Sequence, residues 1–136
     1  MPVLVNRCRH LIFTTALPPV VGQWWLQVLA QVRGDHPARA ALHAATTDFR
    51  AALHRRGIEA GGTDQVVPLV IGDDALAVVA AAGLQARGFD VRAIRPPTVP
   101  AGTARLRVSI HADHDPATLA RLADALEALL PAPTAP

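Results

Sequence analysis

Apolar positions along the chain follow two different periods, and the changes between them mark the elements. From Pro19 to about Val32 almost every position is apolar. Gln23, Gln27 and Gln31 break the run at intervals of four, which lays a polar stripe along one face of a helix. Pro19 suits the first turn, where its missing N–H costs nothing, and Gly34 supplies the stop. A second helix is expected over residues 37–56, capped by Asp35 or His36 and ended by Gly57, with Leu42, Ala45, Phe49 and Leu53 on one face.

After a Gly61-Gly62 turn, residues 66–71 form a short apolar run. This predicts a buried strand, with Pro68 marking an edge or an irregularity. Asp73 or Asp74 then caps a helix carrying Leu76, Val79, Gly83 and Leu84 on one side, closed by Gly88. Residues 90–94 and 105–110 read as two more strands. In the latter, Leu106, Val108 and Ile110 alternate with Arg105, Arg107 and Ser109. Asp115-Pro116 opens the last helix, whose stripe is Leu119, Leu122, Leu126 and Leu130. Residues 11–13 are a further short strand candidate, and residues 131–136 a Pro/Ala tail expected to fray. The order helix, helix, strand, helix, strand, strand, helix predicts a small α+β structure, a sheet covered by helices.

Composition narrows the function classes. The 136 residues suffice for one domain with a real core, and 51% hydrophobic against 18% charged excludes a disordered chain. Alanine dominates the apolar set, which points to helix-rich, fine-grained packing. All 13 basic residues are arginine, the net charge is only +2, and Arg55-Arg56 is the one adjacent pair, so no basic tract marks a nucleic-acid partner. Cys8 is the only cysteine, which rules out an intrachain disulfide and a cysteine-rich zinc site and fits a cytoplasmic setting. Arg7 and Arg9 ahead of a stretch whose only ionisable side chain is His10 could imitate an export signal or a membrane span. The interruptions at Thr14, Thr15, Pro18, Pro19 and the three glutamines argue against both.

The chemistry concentrates in residues 94–107. Three prolines between positions 95 and 101 make a stiff loop that holds its shape without a ladder, and Gly102 allows a turn into the strand. Thr98 offers a hydroxyl on that loop. Arg105 and Arg107 point the same way from the strand, and a guanidinium suits two-point capture of a carboxylate. Composition alone favours a solvated strand face for these arginines. His111, Asp113, His114 and Asp115 invite a metal reading, but Asp115 is accounted for as a helix cap, and no metal site is expected. Trp24-Trp25 read as packing residues, against the chain itself or a partner.

Two separated segments carry a family resemblance. Arg95-Pro96-Pro97-Thr98-Val99-Pro100 followed by Thr103-Ala104-Arg105-Leu106-Arg107 resembles the C-terminal signature of the pyridoxal-phosphate-dependent α-oxoamine synthases. Its wording before Val99 is that of the 8-amino-7-oxononanoate synthases in this family. Phe13-Thr14-Thr15-Ala16-Leu17-Pro18-Pro19 resembles the family's loop just beyond its catalytic lysine segment. Phe49-Arg50, Leu53 and Val70-Ile71-Gly72-Asp73 follow in family order.

The resemblance implies a fold and a set of roles. The fold is the small C-terminal domain of a fold type I pyridoxal-phosphate enzyme, with a three-stranded, mainly antiparallel sheet. Residues 1–35 would hold a residual strand, the threonine loop and a linker helix, residues 36–130 the small domain, and residues 131–136 a tail. Arg107 corresponds to the arginine that holds the amino-acid carboxylate, and Thr98 to a substrate-contacting threonine. Arg95 is a further candidate. Thr14 and Thr15 lie where the family reaches across a dimer interface to the cofactor phosphate, and the two hydroxyls are not distinguished. His114 corresponds to a histidine common just before the family's last helix. The implied activity is condensation of L-alanine with a pimeloyl thioester in biotin biosynthesis.

The family's chemistry needs a lysine for its Schiff base, and this chain has none. The chain alone is therefore expected to be inactive and not to bind the cofactor covalently, with no catalytic residue of its own. Its expected settings are a homodimer or docking on a large domain. The alternative is a non-catalytic remnant that binds a full-length α-oxoamine synthase or a glycine C-acetyltransferase-like relative.

Overall fold

The computed structural model describes Arg7 and residues 17–130. The chain divides into two compact units, residues 1–36 and residues 37–136. In the first, α1 spans Pro19–Gly34, with Pro18 ahead of it and the Asp35 N–H donating to Gln31 O at its end (3.0 Å). None of its sixteen residues is buried. Trp24 and Trp25 are about half exposed and meet edge to face, ring centroids 5.0 Å apart. The expected strand at residues 11–13, Thr14, Thr15, Cys8 and the tail at residues 131–136 lie outside the described residues.

The second unit holds most of α2 (His36–Arg55), then β1 (Val66–Gly72), α3 (Asp74–Gln85), β2 (Arg92–Ile94), β3 (Ala104–Ser109) and α4 (Pro116–Leu129). The sheet is wholly antiparallel, with β3 in the middle, β1 on one side and β2 on the other. One face of it is buried. Val67 and Leu69 of β1, then Leu106 and Val108 of β3, then Ile110 alternate inward to meet Phe49 and Leu53 of α2, Leu84 of α3 and Leu126 of α4. Leu42 and Ala45 pack at the margin, as the helical spacing predicts. Thr46, the buried polar residue, is satisfied within its own helix by donating to Leu42 O (2.8 Å).

The two aspartate caps follow the sequence. Asp73 Oδ1 accepts from Leu76 N–H (2.8 Å), and Asp115 Oδ1 accepts from Ala117 N–H (3.2 Å) with Pro116 beside it in the first turn. Three expectations need correction. The first strand is half buried: Val66 and Val70 face outward and are exposed. Helix α3 buries Ala77, Ala80, Ala81 and Leu84, whereas Leu76 and Val79 are 52% and 65% exposed. Its inward face is small because it sits close to its neighbours; a Cβ on Gly83 would come within 2.9 Å of Leu129 Cδ2. The strand expected over residues 90–94 shortens to three residues. Val91 N–H is turned to Phe89 O (2.9 Å) and its carbonyl accepts from Gln85 Nε2 (3.0 Å).

The outer edge of β1 is occupied locally. Pro68 lies there, and its carbonyl accepts from Gly61 N–H (2.9 Å). Arg50 of α2 reaches the same edge and donates to four carbonyls, those of Ala60 (3.4 Å), Gly61 (2.7 Å), Asp64 (3.0 Å) and Val66 (3.4 Å). One guanidinium thus holds the whole turn between α2 and β1. Arg50→Ala is expected to cost about 1–2 kcal/mol, because water replaces these partners only in part. A lower urea midpoint, with faster amide exchange confined to residues 57–66, is the readout. Arg50→Lys recovers little of the loss, since one ammonium cannot fan over four carbonyls. Arg56, at the end of α2, pairs with both Asp124 and Glu127 of α4 and so ties the two helices together.

Candidate functional site

The proline-rich loop is braced by its own backbone. Thr98 N–H donates to Arg95 O (3.0 Å), and Thr103 donates to Pro100 O through both its N–H (3.2 Å) and its hydroxyl (2.7 Å). The Pro96–Pro97 bond is cis, and Gly102 takes a positive φ of 74°, a conformation that a side chain there would strain. The loop delivers the chain into β3 with Arg105 and Arg107 on the unburied face of the sheet. Arg105 Nε donates to Thr103 O (3.0 Å), which commits it to the loop. Arg107 is exposed, and its side chain makes no ion pair or hydrogen bond to the other described residues. Of the two strand arginines, it is the one whose donors are uncommitted.

A cavity of about 480 Å³ opens where β2 stops short of β3. Arg107, Arg92, Asp90 and Ser109 line its sheet side, and His111 and His114 its far side. Val108, Leu119 and Leu122 form an apolar floor. Arg92 stands directly opposite Arg107 in the antiparallel register, and its Nε donates to Asp90 Oδ1 (2.7 Å). The two histidine rings stack at 5.0 Å, and His114 Nδ1 accepts from His111 N–H (3.2 Å). Among the described residues, no group of three or more His, Cys, Asp or Glu side chains could hold a metal ion.

Of the binding residues expected from sequence, Arg107 lines this cavity, and so do His111 and His114, which had invited the metal reading. Thr98 is exposed on the loop and does not line it, and Arg95 is likewise exposed on the loop. Thr14 and Thr15 lie outside the described residues. Asp90 and Arg92 were not singled out. Their signal was the alternation around Val91, which puts both on the face that carries Arg107.

Fold and site together define a class. The family model for class I and II aminotransferases matches residues 3–126, and the chain belongs to that family. It is similar to the 8-amino-7-oxononanoate synthase of Anaeromyxobacter dehalogenans, 43% identical over 139 residues, which cover 98% of this chain and 35% of that protein. The 8-amino-7-oxononanoate synthase of Cupriavidus taiwanensis is 43% identical over 132 residues, 92% of this chain and 33% of that one. Among solved structures, a lysine-to-alanine variant of a serine palmitoyltransferase from S. paucimobilis, with a bound pyridoxal phosphate–myriocin aldimine, superposes with a TM-score of 0.81 at 28% identity, over 94% of this chain and 33% of that chain. The chain therefore has the fold of a pyridoxal-phosphate-dependent enzyme's small C-terminal domain, and it spans about one third of the length of the relatives it matches. No helix among the described residues is long and apolar enough to cross a membrane.

Proposed function

We propose that this chain serves as the substrate-facing C-terminal part of an 8-amino-7-oxononanoate synthase, acting in the cytoplasm. That enzyme would condense L-alanine with a pimeloyl thioester in biotin biosynthesis, releasing carbon dioxide and the carrier thiol. The observation that carries the reading is Arg107, an uncommitted guanidinium on the sheet face, delivered by the Arg-Pro-Pro-Thr-Val-Pro loop. Its part is to hold the amino-acid carboxylate by paired N–H donors, and Thr98 contributes a hydroxyl toward the substrate from the loop. Thr14 and Thr15 would serve the cofactor phosphate of a partner subunit in a dimer.

Pyridoxal phosphate, when bound, supplies the electron sink for decarboxylation and carbon–carbon bond formation. The residues present do not fit its covalent attachment. The chain contains no lysine, so its only amine is the N-terminus. Activity on this reading requires the remainder of the family's length, on this polypeptide or another.

Incubation with pyridoxal phosphate followed by borohydride and peptide mapping tests this directly. Expected are no stoichiometric adduct away from the N-terminal amine and no carbon dioxide release from L-alanine and pimeloyl thioester. Activity should appear on supplying a family large domain that carries the lysine. Turnover by the 136-residue chain alone would sink the proposal.

The exposed side of α1 favours a second reading, a binding module for a full-length relative. Leu17, Val20, Trp24, Trp25 and Leu26 are each at least half exposed, a patch that in a soluble protein marks an interaction surface. Sedimentation decides here: a monodisperse monomer that does not bind a relative removes this reading.

A further inference from the structure

We propose that the cavity at the short end of β2 binds a dianionic oxyanion, a dicarboxylate or a phosphate, between Arg107 and Arg92. Arg92 is then a second anion-recognising residue. The inference rests on the reading of Arg107 as a carboxylate holder and adds a second ligand beside it: the dianion is a species other than L-alanine, whose single carboxylate Arg107 holds without Arg92.

The register supplies the first argument. Arg92 and Arg107 are cross-strand partners, so their side chains leave the same face of the sheet within about 4.5–5.5 Å of each other at Cα. Like charges placed directly opposite destabilise a sheet, and an anion between them reverses the sign of that contribution. Asp90, the one acidic residue lining the cavity, engages Arg92 through Nε and leaves both terminal amino groups uncommitted. Both partners of that pair are largely exposed, so the contact orients Arg92 more than it neutralises it.

The backbone supplies the second. Ile110 N–H donates to Gln65 O (2.9 Å) on the β1 side. Alternation along an antiparallel strand then turns the Ser109 N–H and carbonyl toward the β2 side. β2 ends at Arg92, opposite Arg107, so the Ser109 N–H has no ladder partner and borders the cavity. The histidines supply the third. Because His114 Nδ1 accepts a hydrogen bond, the neutral ring carries its proton on Nε2, a further donor. Two guanidinium groups, a backbone N–H, the Ser109 hydroxyl and an imidazole N–H are more donors than one carboxylate can use.

Titration of the 136-residue chain with acetate, succinate and inorganic phosphate at constant ionic strength, followed by amide shifts at Val108 and Ser109, tests the proposal. Succinate or phosphate is expected to bind about ten-fold or more tightly than acetate. Arg92→Gln should bring the dianions down to the affinity of acetate while changing acetate itself by less than about two-fold. Both residues are exposed, so the substitutions leave the core intact. Preference for succinate identifies a dicarboxylate, and preference for phosphate a phosphoryl group; either supports the site. Equal affinity for the three anions, no binding by any, or an Arg92→Gln loss shared equally by acetate overturns it. Arg107→Gln separates the two readings. If it abolishes acetate binding, the carboxylate role of Arg107 stands whatever Arg92 does. If acetate binding survives, that role falls and the two-guanidinium site falls with it.

Discussion

Leu106→Ala is expected to remove about 3–5 kcal/mol of unfolding free energy, a large share of what a domain of this size possesses. Leu106 sits on the central strand, fully buried, with Leu69 of β1 and Ala93 of β2 as its direct cross-strand neighbours. The sheet fixes its position from both sides, so the space left by truncation cannot close by movement of a helix alone. The readout is a urea transition with an unchanged slope and a lower midpoint. Val79→Ala is the matched control. Val79 is 65% exposed on the outer side of α3, and its truncation should stay within about 0.5 kcal/mol. If the two substitutions cost the same, the face assigned to α3 is wrong.

Arg107→Gln should have the largest functional effect. In a synthase assembled with a lysine-bearing large domain, it is expected to raise KM for the amino acid roughly 30- to 1,000-fold, equivalent to about 2–4 kcal/mol of charge-assisted hydrogen bonding. Thermal stability should not move, because the side chain is exposed and packs on nothing in the core. Arg107→Lys should recover only part of the loss: an ammonium offers a carboxylate a point charge without the planar fork. A KM unchanged in Arg107→Gln would remove this residue from the substrate site.

Much of this architecture was legible before the structure. The caps at Asp73 and Asp115, the alternation of Leu106, Val108 and Ile110, and the stripe on α2 all follow from side-chain period and cap chemistry, which are local properties. Long-range contacts decided where sequence reading failed. Period alone put Leu76 and Val79 of α3 on the inward side because they are larger than alanine. Close approach to the sheet and α4 selected the alanine face instead, and that spacing is a property of two other elements. β2 lost two expected residues because the chain bends just before it, where Val91 N–H turns back to Phe89 O. The site divides in the same way. Arg107 was legible through its motif, whereas Arg92 became visible only once the register set it opposite Arg107.

The covered edge of β1 has a consequence for how these molecules associate. Pro68 has no N–H to offer there, its carbonyl is already taken by Gly61, and Arg50 occupies the Val66 carbonyl. A second sheet cannot add through that side by backbone pairing. The β2 side remains open, with Ser109 lying beyond the last register pair of β2 and β3. A sheet with one usable edge can meet one copy of itself and then has nothing left to extend. Edge-to-edge association through this three-stranded sheet therefore ends at a pair and does not run on into a filament.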